Sequence, residues 1–306
     1  MLGYLVNRLL FTVFVALGIS FFAFVLLHFI PGDPAQLLAD QWATKEHIEA
    51  LRKQWGLDKP LFTQFAIFMM NLCRGNLGTS IASGRPVAQE IVARLPNTMI
   101  LALAGTLIGV VSGLGAGILS GCRPYSLQDE LTMFLALFGV SLPPFWFGLM
   151  LMWLFAVKWR VLPSSGAGTL AHLVLPAFTL GIGIAAVIAR QTRASMLDVL
   201  RQPYIVTAYA KGLKESVVVC QHALRNALIP IITVTGLIFG RLLGGSVVVE
   251  TVFGWPGLGR FLVEAIFTRD YPVIRGALLI FGLTFAFVNL IVDLTYGVID
   301  PRIKYA

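Results

Sequence analysis

The sequence predicts an all-α fold: a polytopic membrane bundle of six transmembrane helices. Three observations predict it. Of 306 residues, 57% are hydrophobic and 12% charged, where an ordinary soluble domain is about a quarter charged. Mean hydropathy is +0.83. Apolar runs near the roughly 20 residues that cross a hydrocarbon core recur along the chain. The same figures exclude other classes. A chain this apolar is not disordered, and three cysteines do not make a secreted disulfide scaffold.

Six runs qualify between charges. Residues 9–30 hold His28 and no formal charge, and 98–120 and 131–157 hold none. The run 173–189 is short and ends at Arg190, 226–249 contains Arg241, and 276–292 runs on past Asp293 to residue 299. Small residues recur at four-residue spacing in Gly105/Gly109, Gly113/Gly117 and Gly236/Gly240/Gly244, a pattern that lets helix backbones approach closely in lipid. The first run is longer than a signal-peptide core. It is followed by Pro31-Gly32-Asp33-Pro34 with no small-x-small cleavage pattern, so it reads as a retained anchor.

An even number of spans puts both ends on one side. With the termini inside, inner segments carry ten Lys and Arg and outer segments twelve, seven of them in 31–97. The positive-inside rule applies to short loops. With the long segment set aside the balance is ten against five, and both termini are expected to be cytoplasmic. The expected division is a first segment and span over 1–30, a periplasmic loop over 31–97, and a five-helix core over 98–306. In the loop, 46–54 reads as a short surface helix, and its carboxylates are scattered among bases with no catalytic constellation.

The segment 190–228 is the most informative. Between Arg190 and Arg225 it carries six basic residues against Asp198 and Glu215. Pro203 can open a helix. Ile205, Ala208, Tyr209 and Gly212 then fall on one helical face, with Gly212 placed to end it. Leu213, Val217, Cys220 and Leu224 form a second stripe. Two short amphipathic helices joined at a glycine need something to cover them: headgroups, the bundle itself, or a soluble partner.

Here the residues carry a resemblance. Tyr204-Ile205-Val206-Thr207-Ala208-Tyr209-Ala210-Lys211-Gly212-Leu213, followed by His222-Ala223-Leu224-Arg225-Asn226-Ala227-Leu228-Ile229-Pro230, resembles the cytoplasmic loop of ABC importer permeases of the dipeptide/oligopeptide/nickel class. Arg8-Leu9-Leu10, Pro31-Gly32-Asp33-Pro34, Arg193-Ala194-Ser195-Met196, Gly244-Gly245-Ser246 with Glu250, and Phe253-Gly254-Trp255-Pro256-Gly257-Leu258-Gly259 match in order, so the likeness covers nearly the whole chain. Arg269-Asp270-Tyr271-Pro272 and Asp300-Pro301-Arg302 match as well. One departure is that Val206-Thr207-Ala208 stands where the general importer motif has Glu-Ala-Ala, and Ile229-Pro230 lies further from Gly212 than the corresponding Leu-Pro. This agrees with the peptide/nickel subclass and not with sugar importers.

The resemblance implies a type I ABC importer permease in a bacterial inner membrane. It implies a second permease subunit, two ATP-binding subunits and a substrate-binding protein as partners, with a small peptide or metal chelate as cargo. It implies a coupling helix over 204–212 that docks on an ATP-binding subunit through Tyr204, Thr207, Ala208, Lys211, Gly212 and Leu213. The chain has no Gly-x-x-x-x-Gly-Lys-Ser/Thr segment. It is therefore expected to be no enzyme and to bind no cofactor, with ATP-Mg held on the partner subunits.

Beyond the loop, Arg241 sits inside a span, where a charge faces protein or water. With Glu250 it is a candidate for the translocation path. Trp255, Pro256 and Gly257 suit a type II turn at the interface, or a surface for the binding protein or second permease. No His or Cys cluster has metal-ligand spacing, and Cys73, Cys122 and Cys220 lie on different segments. The alternative is an ion-coupled secondary transporter of six helices, which would need membrane-embedded acids or broken helices. A membrane enzyme would need His-Glu-x-x-His, Gly-x-Ser-x-Gly or paired intramembrane acids, none of which is found in the sequence.

Overall fold

The chain's structure was obtained as a computed structural model that describes residues 2–28, 49 and 58–299. Its elements are α1 (Leu2–His28), α2 (Leu61–Cys73), α3 (Val87–Cys122), α4 (Leu127–Ser141), α5 (Pro144–Leu151), α6 (Leu170–Leu200), α7 (Pro203–Ala210), α8 (Leu224–Gly245), α9 (Val247–Val252), α10 (Leu258–Phe267) and α11 (Tyr271–Ile299). Wider i→i+5 turns extend α5 over Met152–Lys158 and precede α8 over Val218–Ala223. Among the described residues there is no β-strand, and one isolated bridge joins Thr79 to Pro86. The expected surface helix at 46–54 lies outside the described residues apart from Glu49.

The chain folds as two units. The first comprises 97–260 and 287–306, the second 2–96 and 261–286. In the first, α3 packs on α6 through a ladder of glycines. A β-carbon added at Gly105, Gly109, Gly113, Gly117 or Gly121 would fall within 3.0 Å of the β-carbon of Leu180, Ile184, Ile188, Thr192 or Met196 respectively. Both series climb in steps of four, so the two helices run parallel with their backbones nearly touching. Four of these glycines belong to the pairs the sequence marks, and Gly121 extends the run by one rung.

That parallel direction bears on the count of spans. Among the described residues four helices are long and apolar enough to cross: α3, α6, 215–244 and α11 over 271–292. The third expected span, 131–157, is a pair, Leu127–Ser141 with Pro144–Lys158, bent by 102° at Pro143 and Pro144. Because α6 runs parallel to α3, the chain between them returns across the membrane once, and the bent pair supplies that return. This makes five. The sixth expected span lies in α1, whose apolar part with described side chains, Leu9–Val25, falls short of the roughly 20 residues of a full crossing.

The second unit is held by aromatic and small-residue packing. Phe24, Phe65 and Phe68 cluster between α1 and α2, with ring centroids 5.4–6.4 Å apart. Gly276 on α11 receives Val87, Ile91 and Leu77, and Gly282 receives Ile19. Asp270 is buried at the foot of α11, where its carboxylate accepts from Ser80 Oγ at 2.6 Å and from the Ala82 N–H at 3.1 Å. The sequence reads 31–97 as a soluble loop. Instead α2 is an apolar helix, and α3 begins at Val87, eleven residues before the apolar run that announces it, continuing through Pro96.

The glycine ladder makes a paired prediction. Gly109→Ala places a methyl against Ile184 and is expected to destabilise the bundle by about 1–3 kcal/mol. Gly115→Ala meets nothing within 4 Å and should leave stability unchanged. Thermal unfolding of the two purified variants, read beside the parent, checks the difference.

Candidate functional site

The segment expected to couple to a partner is built as its sequence suggests, but its faces are assigned differently. Pro203 stands at the first position of α7. Gly212 ends it at φ +74°, donating its N–H to Tyr209 O at 2.9 Å while Leu213 N–H reaches Ala208 O at 3.4 Å. This is the Schellman arrangement, which favours glycine at the left-handed position. Ile205 and Ala208, 1% and 6% exposed, are buried in a cluster with Ile184, Ile188 and Met196 of α6 and with Val218, Val219, Ala223, Ala227 and Ile231. Asn226 Nδ2 donates to Tyr204 Oη at 2.7 Å, tying the start of α7 to α8.

The stripe Ile205, Ala208, Tyr209, Gly212 therefore divides. Its first two members pack inside this chain, and its last two face out. Ala208 is core and is not available to a partner. The outward surface consists of Tyr204, Val206, Thr207, Tyr209, Lys211, Gly212 and Leu213, all exposed. Val206, 63% exposed, is a surface residue that the periodicity did not single out.

The sequence offers Arg241 and Glu250 for a path, and the first unit holds a chamber whose lining includes neither. A cavity of about 340 Å³ lies between the α4–α5 bend, α6, α8 and α9. Leu142 and Pro144 contribute from the bend, Gly183 and Ile184 from α6, and Leu242 and Val249 from the other side. Of its lining, Thr179 carries the one side-chain hydroxyl, and that hydroxyl donates to Leu175 O at 2.8 Å. The wall is thus apolar, and Phe145 and Val248, both 49% exposed, mark its open side.

Glu250 does not face this chamber. It is fully buried. Its Oε1 accepts from Thr98 Oγ1 at 2.8 Å and Ser246 Oγ at 2.9 Å, and its Oε2 accepts from the Arg260 N–H at 3.0 Å. A β-carbon at Gly257 or Gly259 would strike this carboxylate, so both glycines serve close approach. The expected type II turn also differs. The left-handed glycine is Gly254 at φ +59°, not Gly257, and Gly257 N–H bonds Trp255 O, two residues back, at 2.8 Å. Trp255 is 5% exposed and packs among Leu101, Leu151, Leu175 and Phe253. Its indole N–H donates to Asn97 O at 2.9 Å, and Asn97 Nδ2 donates to Pro256 O at 2.9 Å. Trp255 is a core residue of this unit, neither an interfacial belt residue nor a free surface. The apolar packing that buries it gives the same hydrophobic signal in sequence as a membrane anchor.

Arg241 lies exposed on α8. Leu237, Arg241 and Gly244 form an exposed line on that helix, and Ile238 and Leu242 beside Arg241 line the chamber. One polar cluster went unread. Arg193 donates from Nε and Nη2 to the two oxygens of Asp129, at 2.6 and 2.7 Å, and Ser120 Oγ and the Tyr125 N–H donate to the same carboxylate. Ser126 caps α4 by accepting from the Asp129 N–H. The local signal is Ser126 followed three residues on by Asp129, a cap pattern, whereas the partner at Arg193 is 64 residues away and leaves no local trace.

A helical bundle with a short two-faced helix between two spans, and a chamber beside a broken one, has the architecture expected of a transport permease. The chain belongs to the family of binding-protein-dependent transport system inner membrane components, whose model matches residues 113–305. The model of that family's N-terminal region matches 1–102. Over 305 residues, covering 100% of both chains, it is 48% identical to the glutathione transport system permease protein GsiC of Pectobacterium atrosepticum. It is 46% identical to the Escherichia coli K12 protein of the same name, again over 100% of both. Among solved structures, a chain of the MetNI methionine ABC transporter in an inward-facing conformation matches 69% of this chain and 97% of its own length, with TM-score 0.59 and 18% identity. A chain of an amino acid ABC transporter with histidines matches 68% and 93%, with TM-score 0.54 and 16% identity. The fold is that of type I importer permeases, and the chain is a multi-pass inner-membrane permease component of an ABC importer. The secondary-transporter alternative has no support beside this membership.

Glu250→Gln keeps the shape of the buried side chain but turns an amide donor toward groups that themselves donate. A loss of about 1–3 kcal/mol in stability is expected. Thermal unfolding of the purified variant measures it, and an unchanged transition would contradict the assigned bonds.

Proposed function

We propose that this chain, with a second permease subunit, forms the path of an ATP-driven importer for a small peptide of the glutathione kind. Two ATP-binding subunits that hold ATP-Mg supply the energy, and a substrate-binding protein delivers the cargo outside. With α1 counted as a sixth crossing, both termini face the cytoplasm, and the segment 204–212 receives the push of the ATP-binding subunits. The names of the full-length relatives support a peptide such as glutathione over a nickel chelate.

The observation that carries the coupling role is the two-sided character of α7. Its inner face, Ile205 and Ala208, shares one core with Ile184, Ile188 and Met196 of α6. Its outer face presents Val206, Tyr209 and Leu213, 63%, 46% and 38% exposed, beside Lys211. An eight-residue helix with apolar groups on both sides suits a lever between this bundle and a soluble partner. A force on the outer face passes through Ile205 and Ala208 to Val218, Val219 and Ala223 of the adjoining turn and from there to α6, whose Ile184 also lines the chamber.

Val206→Asp with Tyr209→Ala should abolish ATP-dependent uptake and weaken retention of the ATP-binding subunits. The unfolding temperature of the permease should stay as in the parent. Ala208→Leu should instead lower that temperature by overpacking the core. Uptake at the parental rate by the Val206/Tyr209 variant, with normal subunit retention, would remove the coupling role.

A further inference from the structure

The chamber and Arg241 lie side by side, and their chemistry is complementary to one kind of ligand. The chamber is apolar, and its one lining hydroxyl is engaged with the backbone. It offers no group to hold a charge. Its volume of about 340 Å³ is at the small end of ligand cavities, a size for a di- or tripeptide. Arg241 is next in sequence to the lining residue Leu242 and three residues from the lining residue Ile238, so it stands at the edge of the same wall. A β-carbon on Gly244, one turn beyond Arg241, or on Gly183 in the chamber wall would meet nothing within 4 Å. There is free space at both places.

Among the described residues no hydrogen bond or ion pair engages Arg241. An arginine exposed on a membrane span requires an anion or water. In this unit Arg193 is paired with Asp129 and Glu250 is held by three donors, whereas Arg190 and Arg225, on the parts of their helices nearer α7, are exposed like Arg241 but do not adjoin the chamber wall. A guanidinium presents a fork that matches a carboxylate with two parallel bonds.

We propose that Arg241 takes one free carboxylate of the transported peptide at the rim of the chamber while the uncharged amide and side-chain part next to that carboxylate lies against the apolar wall, the peptide's other charged end staying outside it. Arg241 thereby selects cargo with an anionic end. The inference rests on the peptide-permease reading above and adds to it the residue that reads the cargo's charge.

The test uses the assembled transporter in nanodiscs without binding protein, so that delivery does not contribute. Cys73, Cys122 and Cys220 are changed to Ser, and Gly183→Cys places a thiol in the chamber wall. S-methylglutathione is expected to slow alkylation of that thiol by a maleimide, and its diamide at equal concentration is not. Arg241→Gln should weaken protection by the acid about tenfold or more, the range of a bond to a charged group, and Arg241→Lys should restore most of it. Equal protection by acid and diamide, protection by neither, or unchanged protection in Arg241→Gln would each overturn the proposal. Loss of the second permease subunit from the purified Arg241→Gln complex would overturn it too, by making Arg241 a subunit contact. ATP-dependent glutathione uptake by the wild-type complex is measured separately. Its absence would remove the peptide reading itself, and the carboxylate site with it.

Discussion

The first unit depends on the approach of α3 to α6. In lipid there is little hydrophobic drive between helices, and close packing has to hold the bundle. The five glycines of α3 let its backbone lie against Leu180, Ile184, Ile188, Thr192 and Met196 in successive turns. Each end of this ladder is pinned by a buried carboxylate. At the first rung, Thr98 and Asn97 hold the 250–258 segment through Glu250, Trp255 and Pro256. At the last, Ser120 and Arg193 close on Asp129. Dispersion along the ladder gives contact area, and the Asp129 cluster, which takes donors from both helices, fixes their register, so they cannot slide by one turn without stranding a buried charge, while the Glu250 cluster ties α3 to the 246–260 segment.

The ladder links the candidate coupling surface to the chamber. Ile184 and Ile188 face the glycines of α3 and also belong to the cluster that buries Ile205 and Ala208 of α7. Ile184 lines the chamber as well. A displacement of α7 thus meets the 218–223 turn first, and that turn packs on α6. Close-packed interiors transmit strain and do not absorb it. Asn226, bonded to Tyr204, gives the same displacement a second route into α8, which carries Ile238, Arg241 and Leu242.

The sequence made the architecture legible wherever one local pattern has one structural meaning. Long uncharged runs became helices, Pro203 opened α7, and Gly212 closed it in the left-handed conformation. It was less informative where one signal serves two environments. Trp255 is apolar and aromatic whether it faces headgroups or a protein core. Ala208 lies on an amphipathic stripe whether that stripe meets a partner or its own bundle. The stripe was real, but periodicity carries no sign for the side on which the partner lies. The 31–97 segment read as soluble because of its charges, although the charge-free stretch of α2 and the first turns of α3 are helical. Long-range pairs such as Asp129 with Arg193, or Ser80 with Asp270, had no local signature at all.

Glu250 and Arg241 are nine residues apart and were candidates for the same role on the same ground, a charge near the membrane. The fold treats them oppositely. Around Glu250 it supplies two hydroxyls and a backbone N–H, and it clears room with Gly257 and Gly259. A carboxylate so enclosed fixes the chain around it and has no access to cargo. Around Arg241 the fold supplies no partner among the described residues and leaves space at Gly244. A charge that has been compensated belongs to the structure. An uncompensated one on a span, kept against the cost of desolvation, points to an anion that arrives from outside the chain, and the adjoining apolar chamber gives the rest of that anion a place to go.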